Sequence, residues 1–142
     1  MLATDEGYIT VILPNQTLGV GGELFLDDDY VVSRLVAQVK AGDFEPSDPI
    51  PLFTSENVAY QAGSFFSSVT GLIVSPYSKE ISNIRVSAVA YDEAGEIIGG
   101  GFTFVGFVPA NGKAAADVSI TSSGVPATVE LYATVTSLSD FE

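Results

Sequence analysis

Apolar and polar residues alternate along much of the chain with a period of two. From Ile84 to Tyr91 the even positions are apolar, and from residue 127 to residue 136 the odd positions are apolar. Such alternation turns one face of a strand toward a core and the other toward water. Clusters of Gly, Pro, Asn and Asp separate these runs. The pattern predicts nine strands, near residues 7–13, 17–26, 31–40, 57–61, 64–75, 80–92, 95–108, 113–120 and 127–137.

The segments between these runs carry turn signals, and no stretch shows the 3.6-residue period of a capped helix. Residues 92–95 read Asp-Glu-Ala-Gly, which offers a glycine for a left-handed turn position. Residues 109–112 read Pro-Ala-Asn-Gly and end in the Asn-Gly pair typical of turns. Short strands at regular spacing predict an all-β protein built as an antiparallel β-sandwich.

An internal repeat divides the chain unequally. Residues 7–14 resemble residues 101–109, and the spacing of later apolar positions keeps the match until residues 43–45 meet residues 140–142. We therefore expect residues 1–45 to be a three-strand half-repeat, docked on the following unit or on another chain. Residues 46–56 are expected to form a Pro-rich linker, and residues 57–142 a complete sandwich unit.

The complete unit resembles the FxLYD-type immunoglobulin-like modules of bacterial cell-envelope proteins. The matching stretches are Gly71–Ser75, Ser82–Val86, the hairpin Tyr91–Gly99, and the turn Pro109–Lys113 with the strand Asp117–Ile120 that follows it. The FxLYD motif, after which the family is named, differs in this chain at residues 88–92, because alanines stand at positions 88 and 90 where Phe and Leu are usual.

The resemblance implies an immunoglobulin-like sandwich in an extracellular, cell-surface or periplasmic setting of a bacterium. It brings no catalytic residue and no cofactor to this chain. The positions that match its motifs are expected to be structural: Gly71, Tyr91, Asp92, Gly95, Pro109 and Gly112.

The composition of the chain excludes several kinds of catalytic and metal site. The chain has 142 residues with 18 acidic and 5 basic side chains, a net charge of −13, and neither His nor Cys. Without His and Cys there is no Ser-His-Asp triad, no Cys nucleophile and no common zinc site. The negative charge repels phosphate backbones, so nucleic acid is an unexpected partner. The sequence has no run of about 18 apolar residues, so direct membrane insertion is not expected.

Two groups of side chains are candidate ligand sites. Asp27, Asp28 and Asp29 share one loop, and three carboxylates could hold Ca²⁺, although the spacing differs from an EF-hand and a solvated acidic turn is the simpler interpretation. Phe102, Phe104 and Phe107 lie on one predicted strand and are expected mostly to be core, with some left for an apolar patch between modules or on a binding face.

These observations favour a non-enzymatic structural or interaction module, acting as a spacer or as a protein-binding scaffold. A protein partner or a neighbouring module is expected, and unpaired strand edges make a homodimer possible. The alternative is a ligand-binding module for calcium or carbohydrate that uses acidic loops or aromatic strand faces.

Overall fold

Six antiparallel strands form the fold. The structure is a computed structural model that describes residues 4–9, 11–21, 26, 31–43, 45–46 and 48–140. In the described residues there is no helix, and hence none that is long and apolar enough to cross a membrane. The strands are β1 (Thr54–Gln61), β2 (Ser67–Val74), β3 (Ile81–Tyr91), β4 (Ile97–Val108), β5 (Lys113–Ser122) and β6 (Thr128–Thr134).

The strands curl into a nearly closed, barrel-like sheet in the order β1-β2-β5-β4-β3-β6. The β4–β5 ladder is short, since only Gly99 with Ser122 and Gly100 with Thr121 form pairs. A Cβ at Gly101 would lie 2.1 Å from the Ser119 carbonyl oxygen, so the missing side chain lets the two strands approach each other.

The edge strands β1 and β6 meet at a seam. No backbone ladder joins them among the residues that the structure describes. Instead, the Ser55 hydroxyl donates a hydrogen bond of 3.3 Å to the carbonyl of Leu131. The barrel is therefore closed at this seam by side chains rather than by paired backbones.

The core lies inside the curled sheet and follows the alternation of the sequence. On β3 the even residues Ile84, Val86, Ala88 and Ala90 are buried and face the interior. Further buried side chains come from the other strands and from the segment before β1; among them are Phe53, Val69, Ile73, Val118 and Leu131. Removing these apolar surfaces from water is the main stabilising contribution.

The last six predicted strands are confirmed as β1–β6, with bounds that differ by a few residues. The strands predicted over 7–13, 17–26 and 31–40 are not formed by the described residues of those ranges. The physical reason is that a strand needs a hydrogen-bonded neighbour, and no ladder of the sheet includes any of the described residues before Thr54. Of the repeated pattern, residues 101–108 belong to β4, whereas the described residues of 7–14 form no strand.

Residues 11–21, here called the N-terminal strap, lie against β6 without forming a strand. Leu13 is 6% exposed and joins the core cluster. A tight turn follows, in which Asn15 has φ 59° and the Gln16 amide donates 3.1 Å to the Leu13 carbonyl. Asparagine tolerates this left-handed conformation better than most residues. The strap thus inserts one apolar side chain into the core and then reverses direction.

Candidate interaction face

Two phenylalanines of β4 lie on the outer side of the sheet. Phe102 and Phe104 are 43% and 60% exposed, and they pair in register with Ser87 and Arg85 of β3, which also face outward. Their ring centroids are 5.9 Å apart at 85°, an edge-to-face contact. Phe107, further along the strand, is 52% exposed. The prediction that these three rings are mostly core is wrong, because all three are exposed and Val105 and Val108 are the β4 side chains that pack in the core at this end of the strand.

Arg85 completes this surface, which we call the aromatic face (Arg85, Phe102 and Phe104). Its guanidinium carbon lies 3.9 Å from the centroid of the Phe102 ring, within the range of a cation–π contact. Partial burial lowers the pKa of Arg85, since desolvation penalises its charged form. Among the described residues Lys113 forms an ion pair with Glu56, whereas Arg85 has no ion-pair partner.

A cleft of about 550 Å³ opens beside the aromatic face. The outer surfaces of Arg85, Phe102 and Ser119 form one wall, and the other comes from the N-terminal part of the chain, including Tyr8 and Val20. The cleft is lined by two aromatic residues, Phe102 and Tyr8, by the cation Arg85, by Ser119 and by the acidic residue Asp5. This set can bind an apolar group together with an oxygen acceptor.

The N-terminal strap covers the neighbouring part of the same outer surface. Ser87 and Val89 point away from the core on β3, and they are nonetheless 4% and 5% exposed. Gly19 lies over Val89 and Tyr132: a Cβ there would come within 2.3 Å of Val89 Cγ2 and 2.9 Å of Tyr132 Cδ2. Only a residue without a side chain allows this close approach. The aromatic face is therefore the part of the outer surface that the strap leaves uncovered.

Two tyrosines form a hydrogen-bonded group at the far end of this surface. The Tyr91 hydroxyl donates 3.1 Å to Oε2 of Glu130, and the Tyr132 hydroxyl donates to the same oxygen. The two hydroxyl oxygens are 3.2 Å apart. Desolvation, followed by these hydrogen bonds and the nearby carboxylate charge, raises the pKa of Tyr132. The group fixes the outer surface of β6 against β3.

The residues expected to be structural in the β3–β4 turn are held by backbone bonds. Asp92 Oδ1 accepts the amides of Ala94 at 2.8 Å and Glu96 at 2.9 Å. Gly95 has φ +80°, a conformation that favours glycine, and its amide donates 3.1 Å to the Asp92 carbonyl. These contacts close the hairpin between β3 and β4.

The other expected structural positions lie in turns or packed strands. The Gly112 amide donates 3.0 Å to the Pro109 carbonyl, and the Gly112 carbonyl accepts the Ser75 amide at 2.9 Å. At Gly71 a Cβ would lie 2.8 Å from Leu131 Cδ1, so this glycine lets β2 pack closely against β6. None of these positions lines the aromatic face.

The calcium candidates Asp27, Asp28 and Asp29 lie outside the described residues. Within the described part of the chain, no three His, Cys, Asp or Glu side chains are grouped so that they could hold a metal ion.

Sequence reasoning did not single out Arg85, although a signal was present. It is one of only five basic side chains, and it lies at an outward position of a clearly alternating strand. A cation in that place, with aromatic residues on the next strand, indicates an exposed surface with a cation–π contact.

Comparison of the chain with protein-family models, with curated proteins and with solved structures finds no match. The functional argument therefore rests on the geometry of the aromatic face and on the residues themselves.

Proposed function

We propose that the chain is a non-enzymatic interaction module that presents its aromatic face to a protein partner. The observation that carries the proposal is the exposure of Phe102 and Phe104 on a regular strand, with Arg85 stacked on one of the rings. Contiguous exposed apolar surface on a folded domain is characteristic of interaction sites. Aromatic and arginine side chains contribute most to the energy of protein interfaces.

The rigidity of this face favours binding. Phe102 and Phe104 lie on β4, which pairs with β3 along ten residue pairs, so their backbone is already ordered before a partner arrives. The edge-to-face contact and the guanidinium further restrict the rings. A preorganised surface loses less conformational entropy on association, and more of the contact energy then appears as affinity.

Arg85 supplies the directional part of the proposed contact. Its guanidinium offers several N–H donors in a planar fork, which suits a carboxylate or a pair of backbone carbonyls. Because the chain has a net charge of −13, the more distant acidic surfaces steer a partner that is basic overall toward the module. We therefore propose a partner that combines an apolar contact patch, a local acceptor for Arg85 and a positive net charge.

The proposed setting is the surface or periplasm of a bacterium, where the module serves as scaffold or spacer. Support comes from the FxLYD-type motifs of residues 71–120 and from the strand arrangement. With only two residue pairs between β4 and β5, the sheet divides into β1-β2-β5 and β4-β3-β6. We interpret these two layers as an immunoglobulin-like sandwich.

A second candidate function is the binding of a small carbohydrate or carboxylate ligand in the cleft beside Arg85. The specific observation that favours it is the combination of about 550 Å³ of space with an aromatic ring, a guanidinium and the Ser119 hydroxyl in one wall. Screening against a glycan array separates the two proposals. Binding that is lost in Arg85→Gln would favour the ligand site.

The test of the main proposal compares three baits in extracts of the source organism: the unmodified chain, Phe102→Ser/Phe104→Ser, and the control Val125→Ser. Val125 is 79% exposed in the loop before β6, so the control removes an apolar side chain that is more exposed than either phenylalanine. We expect one partner to be retained by the unmodified and control proteins and lost with the double variant. Equal retention by all three folded proteins would contradict the proposal.

A further inference from the structure

Residues 31–40, here called the basic segment, have the sequence of a strand but no strand to pair with. All ten residues are exposed, and none belongs to the six-stranded sheet. Val31, Leu35 and Val39 are 89%, 84% and 99% exposed, and they fall on the same side of an extended chain because their positions are all odd. This is a larger row of uncovered apolar side chains than a folded chain normally leaves in water.

The even positions of the segment carry its charge. Arg34 and Lys40 lie on that side, and residues 31–40 include no acid. Two of the five basic side chains of a chain with net charge −13 are therefore concentrated in ten residues. One side of the extended segment carries the apolar row, and the other carries both cations together with Val32 and Val36, which are 57% and 63% exposed.

The seam edge of β6 has the geometry to accept an added strand. The carbonyls of Leu131 and Ala133 point away from β3, and from the described residues they accept side-chain donors there: Ser55 Oγ at 3.3 Å and Gln16 Nε2 at 3.0 Å. Alternate residues thus turn their carbonyls outward, which is the spacing at which one strand bonds its neighbour. A groove of about 280 Å³ lies beside this edge.

We propose that the basic segment adds as a strand to the seam edge of β6 in a second copy of the chain. The seam opens as the strand enters, so that Ser55 of β1 and Gln16 of the N-terminal strap leave β6 and backbone bonds replace theirs. The apolar row of Val31, Leu35 and Val39 is thereby withdrawn from water. This is β-strand addition, in which the backbone ladder supplies affinity and alternate side chains supply specificity.

Charge complementarity favours the basic segment as the strand that is added at the seam edge of β6. The seam strands carry Glu130 on β6, whose Oε2 accepts the Tyr91 and Tyr132 hydroxyls, and Glu56 on β1, which pairs with Lys113. Both carboxylates are exposed, and they belong to a strongly acidic chain. Arg34 and Lys40 would lie near these carboxylates when the segment runs along the seam. Because the segment is exposed and unpaired in the single chain, the copy that receives it is a second one. The aromatic face is not part of this contact.

Sedimentation velocity across a wide range of protein concentration gives the first test. We expect the unmodified chain to form a dimer or a larger assembly that weakens as salt is added. Leu35→Asp/Val39→Asp should be monomeric, whereas Val125→Asp, which places one charge of the same sign on an exposed loop residue, should assemble normally. Phe102→Ser/Phe104→Ser should also assemble, so the outcome is independent of the proposed partner site. A monomeric unmodified chain at every concentration would overturn the inference.

Directed cross-linking locates the contact, and the absence of cysteine from the chain removes background. Protein carrying Gln38→Cys is mixed and oxidised with protein carrying Thr128→Cys, at the start of β6, or with the control Ala94→Cys, in the exposed β3–β4 turn. We expect mixed disulfides with Thr128→Cys well in excess of those with Ala94→Cys. Equal yields would contradict docking on β6. An intramolecular disulfide in a monomeric Gln38→Cys/Thr128→Cys chain would place the strand in its own copy and also overturn the inference.

Discussion

The side-chain amide of Gln16 donates a hydrogen bond of 3.0 Å to the backbone carbonyl of Ala133, 117 positions away in the sequence. Its Oε1 accepts the Leu13 amide at 3.0 Å and the Thr134 hydroxyl at 3.1 Å. One glutamine thus joins the turn of the N-terminal strap to the last strand. The contact also places Leu13 in the core, so an uncharged side chain attaches an irregular segment to a regular sheet.

Replacing Gln16 should release the strap. We expect Gln16→Ala to lower the free energy of unfolding by about 1–3 kcal/mol, because the substitution leaves part-buried backbone groups without their partner. Thr17→Ala, at the exposed neighbouring position, serves as the control. Chemical denaturation measures the difference, and amide exchange should accelerate at Leu13. Equal stability of the two variants would show that the strap does not depend on this contact.

Gly19 should tolerate no side chain. A Cβ there meets Val89 and Tyr132, and overpacking of this kind costs about 1–3 kcal/mol. Gly19→Ala should therefore be less stable than the control Gly7→Ala, since a Cβ at Gly7 meets no atom within 4 Å. Thermal unfolding of the two variants provides the comparison. If the two variants have the same melting temperature, the strap does not lie over β3 as described.

The hairpin between β3 and β4 should depend on the carboxylate oxygen of Asp92. This oxygen accepts two backbone amides, so Asp92→Ala should cost about 1–3 kcal/mol through the loss of both bonds. Asp92→Asn retains an oxygen acceptor and should recover part of that stability. Denaturation of the three proteins measures the series. A loss in Asp92→Asn as large as that in Asp92→Ala would contradict a role for the accepted bonds.

Stability should fall at alkaline pH because of Tyr132. Burial and the bonds to Glu130 and Tyr91 raise its pKa in the folded state above the ordinary value of 10.0. A group with a raised folded pKa contributes stability that is fully present below its unfolded pKa and is lost as pH rises through the folded pKa. The loss should begin near pH 10 and continue above it.

Melting temperatures measured across this alkaline range test the tyrosine directly. The decline should be smaller in Tyr132→Phe, which has no ionisable group at that position. Tyr8→Phe is the matched control, since Tyr8 is 74% exposed. Parallel pH profiles for the Tyr132→Phe and unmodified proteins would contradict this account.

Six strands could be predicted from the sequence because their side chains alternate clearly and their turns have distinctive chemistry. On β3 the apolar even positions fixed both the strand and its inward face, and the Asp-Glu-Ala-Gly segment located the hairpin. Strand pairing around a curled sheet depends on long-range contacts such as Gly71 against Leu131, which no local pattern contains.

The N-terminal strands and the aromatic face were harder to predict for opposite reasons. Residues 31–40 carry apolar side chains at four of their five odd positions, but a strand forms only where an edge receives it. On β4 both sides of the strand look apolar, so hydrophobicity alone assigned Phe102 and Phe104 to the core. Their exposure follows from the pairing with outward-facing Ser87 and Arg85, which becomes visible only when the register is known.

The most direct test of the proposed function is photo-cross-linking at the aromatic face inside the source organism. A photoreactive benzoyl-phenylalanine replaces Phe104 in one strain and Val125 in a control strain, and adducts are compared after irradiation. The account predicts a defined protein adduct from position 104 that is absent from position 125 and is lost when Phe102→Ser is added. Absence of any adduct at position 104, or the same adducts from both positions, would contradict it.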